Sequence, residues 1–574
     1  MSALLLLFCF LPTALMADSI LNDPYPVKER GENIYYDSFS ESPKYLDPAK
    51  AYSSDEYRIL CQIYEPSVQY HYLDRPYRLE ALTATRLPDF EDFDRQGNKM
   101  EAGADPADWA SSVWTIEIRE GILFQNHPCF ARDEKGAFAY HDLGEEGLEG
   151  IRSPGDFSLQ GTRPLTAHDY AYQIKRMADP RLRCPIFASV LAKYIVGMRE
   201  YAEKVEEELR LERTRREEAS RLRGELVYDR EADELLHPIV IDHRKLDCEG
   251  LHVQSERTLK IAMKEKYPQL RYWLAMPFFA PVPWEAISFY EQGAMIKRNL
   301  SLDKYPVGTG PFVLAENKAN SRMVLERNDN FRRETYPSTG EQNDFGAGFL
   351  RCAGRPLPLI RRAIYSCEKE STPRWSKFMQ CYYDLSGISS DKYQDVMDLS
   401  DGTLRLGPEL KGKGVCLTTS VDTTVFYLGF NMLDSVVGGL SAEKCKLRQA
   451  LSIAIDRESF IQVFLNGRGR PAQGPIPPGI FGQKEGPDGI NPYVYSWDPV
   501  AKEPRRHDIA RARQLLSEAG YPGGISAESG KPLTLFYDTV QNQGNASLRD
   551  WMKKQFGKLG VTFEMRESDY NRFR

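Results

Sequence analysis

Leu447-Arg448-Gln449-Ala450-Leu451-Ser452-Ile453-Ala454-Ile455-Asp456-Arg457 is the stretch that decides the fold class. Leu447, Ala450, Leu451, Ala454 and Ile455 recur at helical spacing on one face, while Asp456 and Arg457 stay outside it. The stretch therefore reads as the centre of an amphipathic helix over 441–464. Two further helices are expected over 501–520 and 547–559, each closed by a glycine, Gly520 and Gly560. Strands over 533–537 and 561–565 follow them, and this alternation of helix and strand points to an α/β fold.

Working back toward the N-terminus, 34–38 reads as a first strand and 55–63 as a helix with Ser54 as its N-cap. Residues 113–119 alternate like a half-buried strand. The polar, glycine-rich stretch 124–165 reads as a surface insertion. A helix over 166–177 follows, capped by Thr166 with Asp169 completing a capping box. The most charged stretch, 200–236, carries only Val205, Leu209, Leu222 and Leu226 as an apolar stripe. It lacks the sustained heptads of a coiled coil and reads as a solvated helical hairpin resting on one domain. Residues 257–263 alternate as a strand. The segment 267–284, dense in aromatics and prolines, reads as a buried crossover, and 316–336 reads as a strand hairpin opening a new domain.

The 574 residues carry a net charge of −7, with 41% hydrophobic and 27% charged residues, which fits a folded globular chain and gives nucleic acid no basic footprint. The opening MSALLLLFCFLPTALMADS is shorter than the about 20 apolar residues of a membrane span and reads as a signal peptide over 1–17, cleaved after Ala17. Ten cysteines lie far apart with no CxxC, so buried free thiols with one or two bridges are expected. GxSxG, Walker A and HExxH are all absent, and Gly308-Thr309-Gly310 lacks the third glycine of a dinucleotide loop. His237, His243 and His252 sit at spacings that fit no standard metal site. No catalytic residue, metal or cofactor is assigned.

Six ordered segments resemble the extracellular solute-binding proteins of the oligopeptide/dipeptide class, bacterial solute-binding family 5. Leu46-Asp47-Pro48 with Ile63-Tyr64-Glu65-Pro66 is similar to an "LDP … YEPL" opening, 114–124 to a "YTFxLRxGVxF" strand pair, and Leu165-Thr166-Ala167-His168-Asp169-Tyr170 to "LTAxDV". Tyr305-Pro306-Val307-Gly308-Thr309-Gly310-Pro311-Phe312 is similar to "PVGTGPF", the opening helix stretch to "VRQALSYAIDR", and 512–524 to "AKxLLxEAGYPxG".

The resemblance implies a periplasmic-binding-protein type II clamshell with an extra domain, three domains in all. Domain I would combine 30–65 with 236–325, domain II would be 66–235 with the charged insertion at 200–236, and domain III would be 326–574. It implies the substrate-binding component of a peptide-type ABC importer, a periplasmic monomer that captures a peptide or other small solute in an interdomain cleft and delivers it to membrane permease subunits. The expected ligand contacts are Glu41, Ser42 and Tyr45 in the first loop, Ser386, Gly387 and Ile388 after a strand at 383–385, and Phe430 and Asn431 ending a strand at 427–431. Family members also continue into a "W-x-A-D-Y-P-D" segment whose aspartate pairs with a peptide's amino terminus. The chain ends at Asp569-Tyr570-Asn571-Arg572-Phe573-Arg574, so domain III is expected to be incomplete, its C-terminal part missing through a fragment or a frameshifted reading. Two other readings stay open: a binding protein for a non-peptide ligand (opine, glycoside, haem or nickel complex) and an exported hydrolase.

Overall fold

The structure is a computed structural model and describes residues 24–29, 31–75, 77–101, 104–224, 227–389, 392–398, 405–419, 422–541 and 545–568. The expected signal peptide over 1–17 lies outside them. The chain divides into two compact units, Met1–Gly387 and Ile388–Arg574.

In chain order the first unit runs β1 (Ile34–Phe39), α1 (Ser54–Ile63), β2 (Asp89–Asp94), β3 (Trp109–Glu117), α2 (Ala167–Arg176), α3 (Met198–Leu222), α4 (Arg230–Leu236), β4 (Leu251–Ser255), β5 (Thr258–Met263), β6 (Phe312–Lys318), β7 (Arg322–Arg327) and β8 (Arg362–Cys367). One four-stranded sheet has the order β1-β8-β7-β6; β1 is parallel to β8, and the remaining pairs are antiparallel. A second, wholly antiparallel sheet has the order β2-β3-β5-β4. Its inner rungs follow from the alternation read at 113–119 and 257–263. Ser112, Trp114 and Ile116 are buried on β3, and they stand opposite buried Met263, Ile261 and Leu259 on β5. The expected domain limits at 236 and 326 cut across these sheets. β4 and β5 pair beside β3, residue 326 lies inside β7, and β8 completes the sheet that β1 begins.

Local capping sets the helix starts. α1 is capped by Ser53 rather than Ser54: Ser53 Oγ accepts from the Glu56 amide at 3.2 Å, and Glu56 accepts in return from the Ser53 amide at 2.9 Å. Thr166 and Asp169 form the expected capping box of α2. α3 and α4 form the expected solvated hairpin. Met198, Tyr201, Val205 and Leu209 are buried, and Arg213 binds Glu234 across the hairpin at 2.8 Å. The stretch 124–165 is not a surface insertion. Phe124, Cys129, Phe130, Leu148 and Phe157 are buried in the main core, because scattered apolar residues of an irregular segment can pack inward without showing a period. The crossover at 267–284 is buried as expected, through Leu270, Phe278, Phe279 and Val282. The nine cysteines among the described residues are all free, so the expected bridges do not form there.

The segment after α1 and the segment before β6 cross in contact. The Gly310 amide donates to the Ile63 carbonyl at 2.8 Å, the Val307 amide to Tyr64 Oη at 3.2 Å, and Thr309 Oγ1 to Glu65 at 2.9 Å. A Cβ on Gly308 would lie 2.0 Å from the Ile63 carbonyl oxygen, and one on Gly310 would lie 2.6 Å from it. Only glycine lets two backbones approach this closely.

Among the described residues three histidines are buried in this unit, His71, His127 and His243, and the last two meet tyrosine hydroxyls. His127 Nδ1 accepts from the Cys129 amide at 3.1 Å, so its neutral Nε2–H faces Tyr290 Oη at 3.0 Å. His243 Nδ1 meets Tyr201 Oη at 2.8 Å. Burial pulls His127 down to about 3 and His243 down to about 4.

The second unit runs α5 (Ala442–Ala454), α6 (Arg457–Leu465), β9 (Tyr495–Asp498), β10 (Glu503–Arg506), α7 (Ile509–Glu518), β11 (Thr534–Val540), α8 (Asn545–Gly557) and β12 (Thr562–Ser568). Leu447, Ala450, Leu451 and Ala454 are buried with Leu515, Leu516, Phe556 and Phe563. β11 and β12 are parallel, as expected for an α/β unit. The single helix expected over 441–464 is broken at Ile455, because Asp456 accepts from the Ser459 amide at 2.9 Å and caps a new helix. The helix expected from 501 begins only at Ile509, since 503–506 pairs with β9 and Asp508 supplies the cap.

Two outcomes are expected. Gly308→Ala should destabilise the first unit by about 3 kcal/mol or more in urea unfolding, whereas Gly144→Ala, whose Cβ meets nothing within 4 Å, should stay within about 1 kcal/mol. His127 and His243 are neutral when folded and regain a pKa near 6.5 on unfolding. The unfolded chain therefore binds more protons, and their contribution is complete above about pH 6.5 and lost as pH falls toward 4. At pH 5 each should cost about 2 kcal/mol relative to pH 7. His127→Gln and His243→Gln should each flatten the measured fall in unfolding free energy by that amount.

Candidate functional site

β1 ends at Phe39, and the chain then passes through the first loop to Leu46-Asp47-Pro48. Three anchors hold this loop. The Asn320 amide donates to Ser42 Oγ at 2.8 Å, and the Tyr45 amide donates to Glu56 Oε1 at 2.9 Å. Asp47 takes both arms of Arg176 at 2.8 and 2.5 Å, with both side chains buried. Burial opposes the charge on Asp47, but the Arg176 guanidinium outweighs it and holds the carboxyl below its usual range. The ammonium groups of Lys44 and Lys50 lie 5.1 and 5.7 Å from the Tyr45 ring centre.

Glu41 is exposed at the rim of a small depression shared with Phe39, Pro43, Asp55, Arg58 and Tyr365. Arg58 pairs with buried Asp37 on β1 and lies 5.2 Å from the Tyr365 ring. The loop thus sits at the carboxyl ends of the parallel strands β1 and β8, where α/β sheets characteristically receive ligands. Its groups are hydrogen-bonding and charged side chains, suited to holding a polar solute. Among the described residues no group of three His, Cys, Asp or Glu could hold a metal ion. His243 is committed to Tyr201, and the exposed His237 and His252 form no cluster with it.

The other expected contacts are less organised. Residues 383–385 form no strand. Tyr383 Oη donates to Glu368 at 2.7 Å, the Asp384 amide donates to the Tyr36 carbonyl at 2.9 Å, and Asp384 accepts from the Tyr36 amide at 2.7 Å. A side chain has replaced a strand partner at the edge of β1. Ser386 Oγ donates only to the Gly387 carbonyl, at 3.1 Å. Gly387 closes the first unit, and Ile388 opens the second, its carbonyl accepting from Arg468 at 2.8 Å. Residues 427–431 also form no strand. No backbone hydrogen bond is made by 425–430 among the described residues, and Phe426 and Tyr427 are 88% and 85% exposed. Phe430 packs against the second core, and Asn431 Oδ1 accepts from the Leu433 amide at 3.0 Å.

The structure therefore gathers Glu41, Ser42 and Tyr45 on one anchored loop and ties the segment leading to Ser386 and Gly387 to the same strand. Ile388, Phe430 and Asn431 belong to the second unit. Sequence reasoning missed Asp37, Arg58, Glu368 and Asp384 around this strand. Only Asp37 carried a signal, as a charged residue inside a strand.

The family model for "Bacterial extracellular solute-binding proteins, family 5 Middle" matches residues 110–574. Among curated proteins, the chain is 26% identical over 256 residues to the heme-binding protein A of Haemophilus influenzae, covering 44% of this chain and 37% of that protein. It is 24% identical over 313 residues to the dipeptide-binding protein of Escherichia coli, covering 51% and 46%. The chain thus spans less than half the length of either relative. Among solved structures, the murein tripeptide binding protein MppA of E. coli superposes with a TM-score of 0.54 at 16% identity, over 94% of this chain and 76% of that one. The periplasmic binding protein DppA of Helicobacter pylori, in complex with peptide STSA, superposes with a TM-score of 0.52 at 15% identity, over 96% and 76%. These likenesses fix the α/β fold of periplasmic binding proteins. A match running from residue 110 to 574 places the chain in the bacterial extracellular solute-binding proteins, family 5.

Proposed function

We propose that this chain is the substrate-capturing component of an ABC importer for peptides, exported by the leader over 1–17 to the periplasm and working there as a monomer with a membrane permease. The observation that carries the reading is the fold, shared over 94–96% of the chain with a tripeptide-binding and a peptide-complexed protein. In this reading the chain is a receptor and no enzyme, with no cofactor. Glu41, Ser42 and Tyr45 contact the ligand from the anchored first loop, and Ser386, Gly387, Ile388, Phe430 and Asn431 add to it. Peptide backbone would be held by hydrogen bonds, which read side-chain identity loosely. In this reading the three expected domains shift their limits at 236 and 326, with β4 and β5 joining domain II and β8 joining domain I.

A second reading has one observation in its favour. The heme-binding relative makes haem a concrete alternative among the non-peptide ligands.

Titration calorimetry of the purified chain against tri- and tetrapeptides, glutathione and haem separates the readings, with mass spectrometry of the recovered peptides as the check on hydrolysis. Saturable binding of intact peptide is expected, weakened about tenfold, or about 1.4 kcal/mol, by Tyr45→Ala and by Phe430→Ala. Binding of haem alone would transfer the assignment to the second reading, and peptide cleavage that survives purification would overturn the receptor assignment.

A further inference from the structure

Three arginines meet where β7 and β8 end: Arg327 closes β7, Arg362 opens β8 and Arg361 precedes it. Arg362 stands opposite Glu326 as the last pair of the register, and just beyond it the Arg327 amide donates to the Arg361 carbonyl at 2.9 Å. This backbone bond holds Arg327 and Arg361 side by side at the end of the sheet. Arg362 is occupied: its guanidinium lies 3.5 Å from Glu326 and 3.9 Å from Glu32. Among the described residues neither Arg327 nor Arg361 forms an ion pair, and both side chains are exposed. Like charges held on adjoining segments repel.

These residues border an open cavity of about 590 Å³. Asn33 and Leu359 close one side of it, joined by a hydrogen bond of 2.5 Å from Asn33 Nδ2 to the Leu359 carbonyl. Asp329 lines the cavity as well. The lining thus holds three arginines against two carboxylates, and with Glu326 beside Arg362 the two unpaired arginines exceed the one remaining carboxylate, Asp329. Paired guanidiniums match the bidentate geometry and double charge of a phosphate group, which would cancel their mutual repulsion.

We propose that this cavity is an anion site in which Arg327 and Arg361 together hold a phosphate group. The site belongs to the first unit alone and is separate from the first loop.

The test is calorimetric titration of the full chain with inorganic phosphate, against chloride at matched ionic strength. Saturable binding specific to phosphate is expected, weakened at least about tenfold in Arg327→Gln and in Arg361→Gln and unchanged in Arg95→Gln. A second signature guards against misfolding. Each of the two variants should unfold at a higher temperature than the wild type in phosphate-free buffer, because the repulsion is gone, and should lose the rise that phosphate confers. Co-sedimentation with phosphatidylglycerol and phosphatidylcholine vesicles identifies the source. Arginine-dependent pelleting with the anionic lipid alone assigns a headgroup, and phosphate binding without pelleting assigns a soluble phosphate. Equal responses to phosphate and chloride, or undiminished phosphate binding by the Arg327→Gln/Arg361→Gln double variant, would overturn the proposal.

Discussion

In the first unit Ile63-Tyr64-Glu65 passes backbone to backbone against Val307-Gly308-Thr309-Gly310, and the placement of its two sheets depends on this crossing. One strand of chain leaves the sheet of β1 there and another returns to it, joined by the Gly310-to-Ile63 hydrogen bond. The contact leaves no room for a side chain at Gly308. Around it, buried Glu65 accepts from Thr309 and from Arg332 at 2.6 Å, Arg332 reaches Glu334 at 2.7 Å, and Glu334 takes Arg119 at 2.9 Å. Burial pushes the Glu65 carboxyl up despite the Arg332 guanidinium beside it. Such a pair adds little net stability, since desolvation costs about as much as attraction returns. Its effect is to fix one register: sliding the crossing would leave a buried carboxylate without its guanidinium, a loss of about 3–5 kcal/mol.

The elements legible in the sequence are those whose determinants lie within a few residues of each other. The Thr166–Asp169 capping box, the alternation of β3 and β5, and the apolar face of α5 are all local patterns, and each appears where the pattern places it. Local chemistry also explains several of the misses. Asp456 is as good a cap as it is an outward-facing helix residue, so the helix read over 441–464 becomes two. Pro504 within Glu503–Arg506 removes an amide that a helix interior would need, and the segment pairs with β9 instead. The stretch 124–165 failed for a different reason. Its buried residues, from Phe124 to Phe157, are spaced by turns, and only the surrounding core reveals that they point inward.

The candidate site divides along the same line. Its loop was legible because Leu46-Asp47-Pro48 marks where the chain turns toward α1. The groups that anchor it were not, since Ser42 meets a residue 278 positions away and Asp47 one 129 positions away. The strands expected at 383–385 and 427–431 had suitable composition but found no strand to pair with. A strand is a relation between two segments, and neither run could state its partner.

Anchoring also bears on the proposed role of the first loop in recognition. A loop with free backbone amides would lose conformational entropy on meeting a solute, at about 1–2 kcal/mol per residue ordered. Here Ser42 and Tyr45 are already tied, one to the β6–β7 turn and the other to the buried carboxylate of Glu56, and Asp47 is locked to Arg176 beneath them. Folding has met most of that ordering cost before any ligand arrives. Glu41 stays exposed at the rim beside Arg58 and Asp55, and Lys44 is exposed in the same loop, so the loop offers a fixed frame with adaptable charges. A frame of that kind suits a receptor that must accept many solutes sharing a backbone and differing in side chains.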